Sequence, residues 1–202
     1  MSGKIRSIIT FFVFTFFILA VSSAMAQKQV PKKMPTLGCC TCLGGTNTLN
    51  LSTVPANPWT VNGNPVAVTS PINGAWNLPT GPANWVSLNT GGSMGGIASG
   101  PHYYRLQFAV PNCTIDQKVF LNGTYGADDA VDVFLDIPLI SQCGGGGWCF
   151  NIWNTPPPLV NVPVSPGLHT LLLVVNNGSL GPSGIFVNAK LTGTCTKQII
   201  KP

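Results

Sequence analysis

Charged residues make up 7% of this 202-residue chain, ten basic and five acidic, against roughly 25% in ordinary soluble domains. Every acid is Asp, and most lysines gather towards the two ends, so no central basic stripe of the kind nucleic acid requires is present. The surface is left to Asn, Thr, Ser, Gly and Pro, which suits an extracellular protein that meets neutral partners.

At the start, Lys4 and Arg6 precede an apolar run from Ile8 to Val21, and Ala24-Met25-Ala26 leads into Gln27. A basic opening, a short apolar stretch and an A-x-A site read as a secretory signal peptide, residues 1–26, cut after Ala26. The rival is an uncleaved membrane anchor, and the position of the A-x-A site favours cleavage. No second run of spanning length follows, so the mature chain is expected to be secreted and free of the membrane. It is long enough for one domain with a sizeable core.

Residues 27–48, "QKQVPKKMPTLGCCTCLGGTNT", carry no strand pattern and read as a cysteine-rich N-terminal arm. The seven cysteines are Cys39, Cys40, Cys42, Cys113, Cys143, Cys149 and Cys195, and in an exported chain disulfides are the first expectation. Cys143 and Cys149 can close a small loop, "CGGGGWC", whose glycines permit the reversal. Cys39, Cys40 and Cys42 are expected to reach partners such as Cys113 and Cys195, with the pairing open. The odd count leaves one thiol free or intermolecular. A zinc site would need a second ligand pair at metal spacing, and no His lies near.

From 49 to 196 the chain reads as a β-domain, with 197–202 as a tail. No window keeps apolar residues at helical spacing, and 18 prolines and 23 glycines interrupt the chain. Strands are predicted over 58–68, 83–89, 104–110, 118–126, 130–137, 169–177 and 183–193, bounded by Gly, Pro or Asn. Tyr104, Leu106, Phe108 and Val110 share one face of theirs. "HTLLLVV" is apolar on both faces and is expected at the centre of a covered sheet. Many short strands separated by turns mean a sandwich or barrel.

Over 101–194 the residues resemble the galactose-binding-domain-like β-sandwich of secreted bacterial proteins. The likeness is carried by Tyr104 and Phe108, Ala127-Asp128-Asp129, Val133 and Leu135, and Gly167 with His169-Thr170-Leu171. Val175 with Asn177, Gly181-Pro182-Ser183-Gly184 and the strand from Ile185 complete it. The resemblance implies an all-β, two-sheet antiparallel jelly-roll sandwich. It says little about function, because such domains include sugar-binding modules, adhesins and domains without a ligand. The chain departs from the pattern at Asp136-Ile137-Pro138, where the family often turns on Asn-Gly, and then inserts "SQCGGGGWCFNIWNTPPP".

Four of the five acids, Asp128, Asp129, Asp132 and Asp136, fall within 122–136. Asp128 and Asp129 are candidate ligands for a structural calcium. The competing reading is that Asp side chains cap turns and that Asp132 and Asp136 mark the outer strand face. In an extended chain Asp128 and Asp129 point to opposite sides, which does not suit a glycosidase pair. "GGSMG" at 91–95 matches G-x-S-x-G, and Asp and His169 follow it in order. A nucleophile elbow needs a strand before Ser93 and a helix after it, and the glycine-rich surroundings oppose the helix. No catalytic residue is assigned.

For sugar binding, exposed aromatics that stack on pyranose faces are required, and the five tryptophans are candidates. Trp85 falls in a predicted strand and belongs to the core. Trp148 and Trp153, with Asn151, lie in the inserted segment 141–158 and are the candidate ligand contacts. The expected function is a secreted, non-catalytic binding module for neutral carbohydrate or another extracellular surface. The alternative is a structural or self-associating surface protein crosslinked through its cysteine-rich arm.

Overall fold

The computed structural model describes residues 33–79, 81–143, 149–150 and 156–198. Its strands are, in chain order, β1 (Thr46–Asn50), β2 (Thr60–Val61), β3 (Asn64–Pro65), β4 (Ala67–Val68), β5 (Val86–Ser87), β6 (Gly100–Val110) and β7 (Ile115–Asp128). They continue as β8 (Ala130–Leu135), β9 (Leu139–Cys143), β10 (Pro158–Val164), β11 (Gly167–Asn177) and β12 (Gly184–Gln198). One 3-10 turn, Gly92–Met94, is the only helical element among the described residues.

The strands form two antiparallel sheets packed face to face, an all-β sandwich. One sheet runs β3-β2-β6-β11-β8-β9; the other runs β10-β7-β12-β5-β4, with β1 also on β12. The period of two decides which side chains meet between them. β6 buries Tyr104, Leu106 and Phe108, β11 buries Leu171, Leu173 and Val175, and β8 buries Val131 and Val133. Facing them, β7 supplies Leu121 and Tyr125, and β12 supplies Ile185, Val187 and Leu191. Each such aliphatic side chain contributes about 1.5–3 kcal/mol by leaving water.

β11 is central, paired along its length with β6 (Leu171↔Leu106) and with β8 (Leu171↔Leu135). The expectation that both its faces are covered is corrected. Leu172 and Val174 are only half-buried and Leu168 is exposed, because no layer of the described residues packs over that side of the sheet. The predicted strand over 58–68 divides into β2, β3 and β4, since Asn62 and Gly63 take positive φ and turn the chain. The segment predicted over 130–137 ends at Leu135, where Asp136 also takes positive φ. β1, β9 and β10 are strands that the sequence pattern did not announce.

A second, smaller core lies on the outer side of the β12 sheet. Phe186 points away from Ile185 and Val187 and packs with Trp76, Ala83 and Trp85. Trp76 and Trp85 stack with ring centroids 4.1 Å apart, and Phe186 meets Trp85 edge-on at 5.1 Å, contacts worth about 0.5–1.5 kcal/mol beyond area burial. A Cβ at Gly126 would collide with the Phe186 ring, so only glycine admits that ring against β7.

Three disulfides join Cys39 to Cys113, Cys40 to Cys195 and Cys143 to Cys149, and Cys42 is free and exposed. The segment read as an arm is woven into the sandwich. Thr36 pairs in parallel with Ala109, Leu37 is buried, and β1 begins at Thr46.

Candidate functional site

The acid-rich stretch separates into individual structural roles. Asp128 closes β7 and is buried, with 4% of its surface exposed, and its Oδ2 accepts the Trp76 indole N–H at 2.7 Å. Its carboxyl lies beside that of Asp129, so the two are together and not on opposite sides as an extended chain would place them. The peptide joining them is cis. Burial raises the Asp128 pKa to about 8, helped by the neighbouring Asp129 carboxyl and opposed by the Trp76 donor. Asp129 Oδ2 accepts the Gly178 backbone N–H at 2.8 Å. Calcium takes six to eight oxygens; here the two carboxyls lie together, with one Asp128 oxygen on the Trp76 N–H and one Asp129 oxygen on the Gly178 N–H. No cluster of three His, Cys or Asp side chains occurs among the described residues.

Tyr104 lies in the same polar pocket between the sheets. Its hydroxyl is near Ser87 and Ser183 but outside hydrogen-bonding geometry with either, and burial pushes its pKa up to about 12. Ser87 donates to the Ser183 carbonyl at 2.6 Å, and Ser183 to the Asp128 carbonyl at 3.0 Å. These groups tie β5, β7 and β12 together at one end of the sandwich.

Ser93 and His169 do not meet. The Ser93 segment lies at the Asn177 end of β11, because the Asn177 amide donates to the Ile97 and Ala98 carbonyls. His169 stands eight residues away along that strand, roughly 25 Å at the strand rise. Its Nδ1 faces Asp136 Oδ2 at 2.8 Å and its Nε2 faces the Ser165 carbonyl at 2.8 Å. Asp136 Oδ1 accepts the Thr170 N–H at 2.8 Å, so this acid fastens the turn after β8 to β11. Asp132 points outwards from β8, half-buried.

Of the tryptophans, Trp59, Trp76 and Trp85 are buried and cannot stack on a ligand. Trp148, Trp153 and Asn151 fall outside the described residues. The segment 141–158 is not all loop: Ser141–Cys143 belong to β9, and Pro158 opens β10.

Two surfaces that sequence reasoning missed face solvent. On the outer side of the first sheet, register aligns Arg105–Leu172–Phe134–Leu139 in one row and Tyr103–Val174–Asp132–Gln142 in the next. Tyr103 is 41% exposed and Leu139 is 50% exposed. Arg105 and Asp132 form no ion pair there; the one such pair among the described residues is His169–Asp136. The alternation that named the inward side of β6 also defines this outer side, and it was the available signal.

The other surface is a depression of about 350 Å³ on the outer side of the second sheet, beside the tryptophan cluster. Across it run Asn50 of β1, Lys190 of β12 and Asn122 of β7, directly opposite one another in register. The Gly123 and Ala189 backbones form its floor and Pro82 one wall. A Cβ at Gly123 would come within 2.6 Å of the Ala189 Cα, so the two strands approach this closely only over glycine. No protein-family model matches the chain, and no curated protein matches it in sequence.

Proposed function

We propose that the chain is an exported, non-catalytic binding module that docks neutral glycan on the outer face of its β6–β11–β8–β9 sheet. The observation that carries this reading is the pair of rows just described. Tyr103 and Phe134 offer aromatic surface on either side of Leu172 and Val174, and Arg105, Asp132, Gln107 and Gln142 surround them with hydrogen-bonding groups. Sugar rings present an apolar face and a rim of hydroxyls, which is what such a strip accommodates. From the strand spacing and rise, the two aromatic positions stand roughly 12 Å apart, a span of more than one sugar unit. β9 leads from this face into the segment holding Trp148, Asn151 and Trp153, which we include among the contacts. The galactose-binding-domain-like pattern in 101–194 is compatible with the reading, since that class includes sugar-binding modules, and the three disulfides fit an oxidising compartment.

A glycan array tests it. Wild-type protein is expected to bind a subset of neutral glycans, and Tyr103→Ala, Trp148→Ala and Trp153→Ala to weaken the same subset. Absence of binding to every glycan would sink the proposal. Hydrolysis of an ester or glycoside that disappears in Ser93→Ala would overturn its non-catalytic part.

One observation favours a second reading, a self-associating surface protein. Cys42 is free and exposed on a segment whose neighbours Cys39 and Cys40 are already paired, so it is placed to bond another chain. Non-reducing electrophoresis that finds only monomer in the exported product would exclude that crosslink.

A further inference from the structure

The depression on the second sheet differs chemically from the strip on the first, because its polar groups are held as donors. Asn50 Oδ1 already accepts the Ser52 backbone N–H at 2.8 Å. Asn122 Oδ1 accepts the Asn161 N–H at 2.8 Å, delivered by the register slip in β10 between Leu159 and Val162. An amide whose oxygen is fixed on a backbone N–H has its orientation decided and turns its NH2 the other way. Asn50 and Asn122 therefore present N–H groups on either side of Lys190, one strand spacing away on each side, about 5 Å. Thr48 adds a hydroxyl from β1.

The charge distribution points the same way. Lys190 is exposed and is the single charged residue lining the depression. It has no salt-bridge partner among the described residues. Asp132 and Asp136 belong to the opposite sheet, and Asp128 and Asp129 lie under and beside the tryptophan cluster. Asp116 is six residues from Asn122 along β7, roughly 20 Å at the strand rise. A row of two amide donors and an ammonium, without a competing carboxylate, selects an acceptor that bears negative charge.

We infer that this depression binds the carboxylate of an acidic sugar residue, a uronate, as a second subsite of the glycan-binding module. The inference rests on the glycan reading above and names a further ligand class for it. The carboxylate accepts from Lys190 Nζ and one flanking amide, and the ring hydroxyls accept from the other amide. A sulfate ester shares this chemistry, so the test has to separate the two.

The test is calorimetric titration of the intact, unglycosylated chain with an oligogalacturonide, its methyl ester, the matching neutral oligosaccharide and a sulfated analogue. The free acid is expected to bind roughly tenfold more tightly than its methyl ester, the loss of one charge-assisted contact. Lys190→Gln should abolish that preference and leave binding of the neutral oligosaccharide unchanged, while Lys190→Arg should retain it. Lys190 is exposed, so these variants keep the fold, which a far-ultraviolet spectrum verifies. Equal binding of acid and ester, insensitive to Lys190→Gln, overturns the uronate subsite while neutral binding keeps the module reading alive. Binding of the sulfated analogue alone reassigns the depression to sulfate and overturns the carboxylate. If no saccharide binds, both readings fall together.

Discussion

Replacing Asp128 with Asn should make the protein more stable at mildly alkaline pH while changing little at acid pH. In the folded chain this carboxyl is held neutral by burial and by the neighbouring Asp129 carboxyl, with a pKa raised from 3.8 to about 8. Between those values the folded state keeps a proton that the unfolded state has released. The group's favourable contribution is therefore complete below pH 3.8 and is lost as pH rises towards about 8. One bound proton corresponds to a slope of about 1.4 kcal/mol per pH unit. From about pH 5 to about pH 8 the loss comes to about 3–4 kcal/mol, a large part of a typical stability of about 5–15 kcal/mol. Asn has nearly the same shape. Its oxygen accepts the Trp76 N–H and its NH2 faces the Asp129 carboxyl, so the Trp76 bond survives without the titration. Urea unfolding followed by tryptophan fluorescence, disulfides intact, gives the free energy of each protein at each pH. Subtracting the two series cancels every group they share. A difference that stays constant across this pH range would refute the assigned burial and protonation of Asp128.

Two further outcomes follow from the geometry. Gly123→Ala places a methyl against the Asn188 carbonyl and the Ala189 Cα, so it should cost about 2 kcal/mol or more by forcing β7 and β12 apart, read as a lowered thermal midpoint. Iodoacetamide under native, non-reducing conditions should add a single label, on Cys42, found by peptide mass spectrometry. Labelling at Cys39, Cys40, Cys113 or Cys195 would contradict the pairing.

Long strands announced themselves because alternation over many residues has one physical cause, a face on the core and a face in water. β6 is the clearest case, with Tyr104, Leu106 and Phe108 marking its inner side. β10 escaped notice because "PLVNVPV" contains Pro158 and Pro163 and a register slip, features that an edge strand tolerates and a central one does not. β1, "TNTLN", is an edge strand of polar residues with Leu49 its one large apolar side chain. The acid stretch was legible as turns and an outward face, but not the partner of Asp128: Trp76 is 52 residues away in sequence. The depression was unreadable for the same reason. Asn50, Asn122 and Lys190 meet only because three strands distant in sequence are paired.

The Cys40–Cys195 bond has a mechanical consequence. Its two residues are 155 apart in sequence and lie close to opposite ends of the sandwich sequence. Tension entering at Cys40 and leaving at Cys195 passes through one covalent link, so β1 to β11 and most of β12 carry none of it. Pulled between its termini, the oxidised domain behaves as a short inextensible strut. Reduction of this bond together with Cys39–Cys113 would release roughly 500 Å of slack at about 3.5 Å per residue, and the same pull would then fall on the strand pairs. A pull applied at the two ends thus leaves both sheets unloaded for as long as this bond remains oxidised.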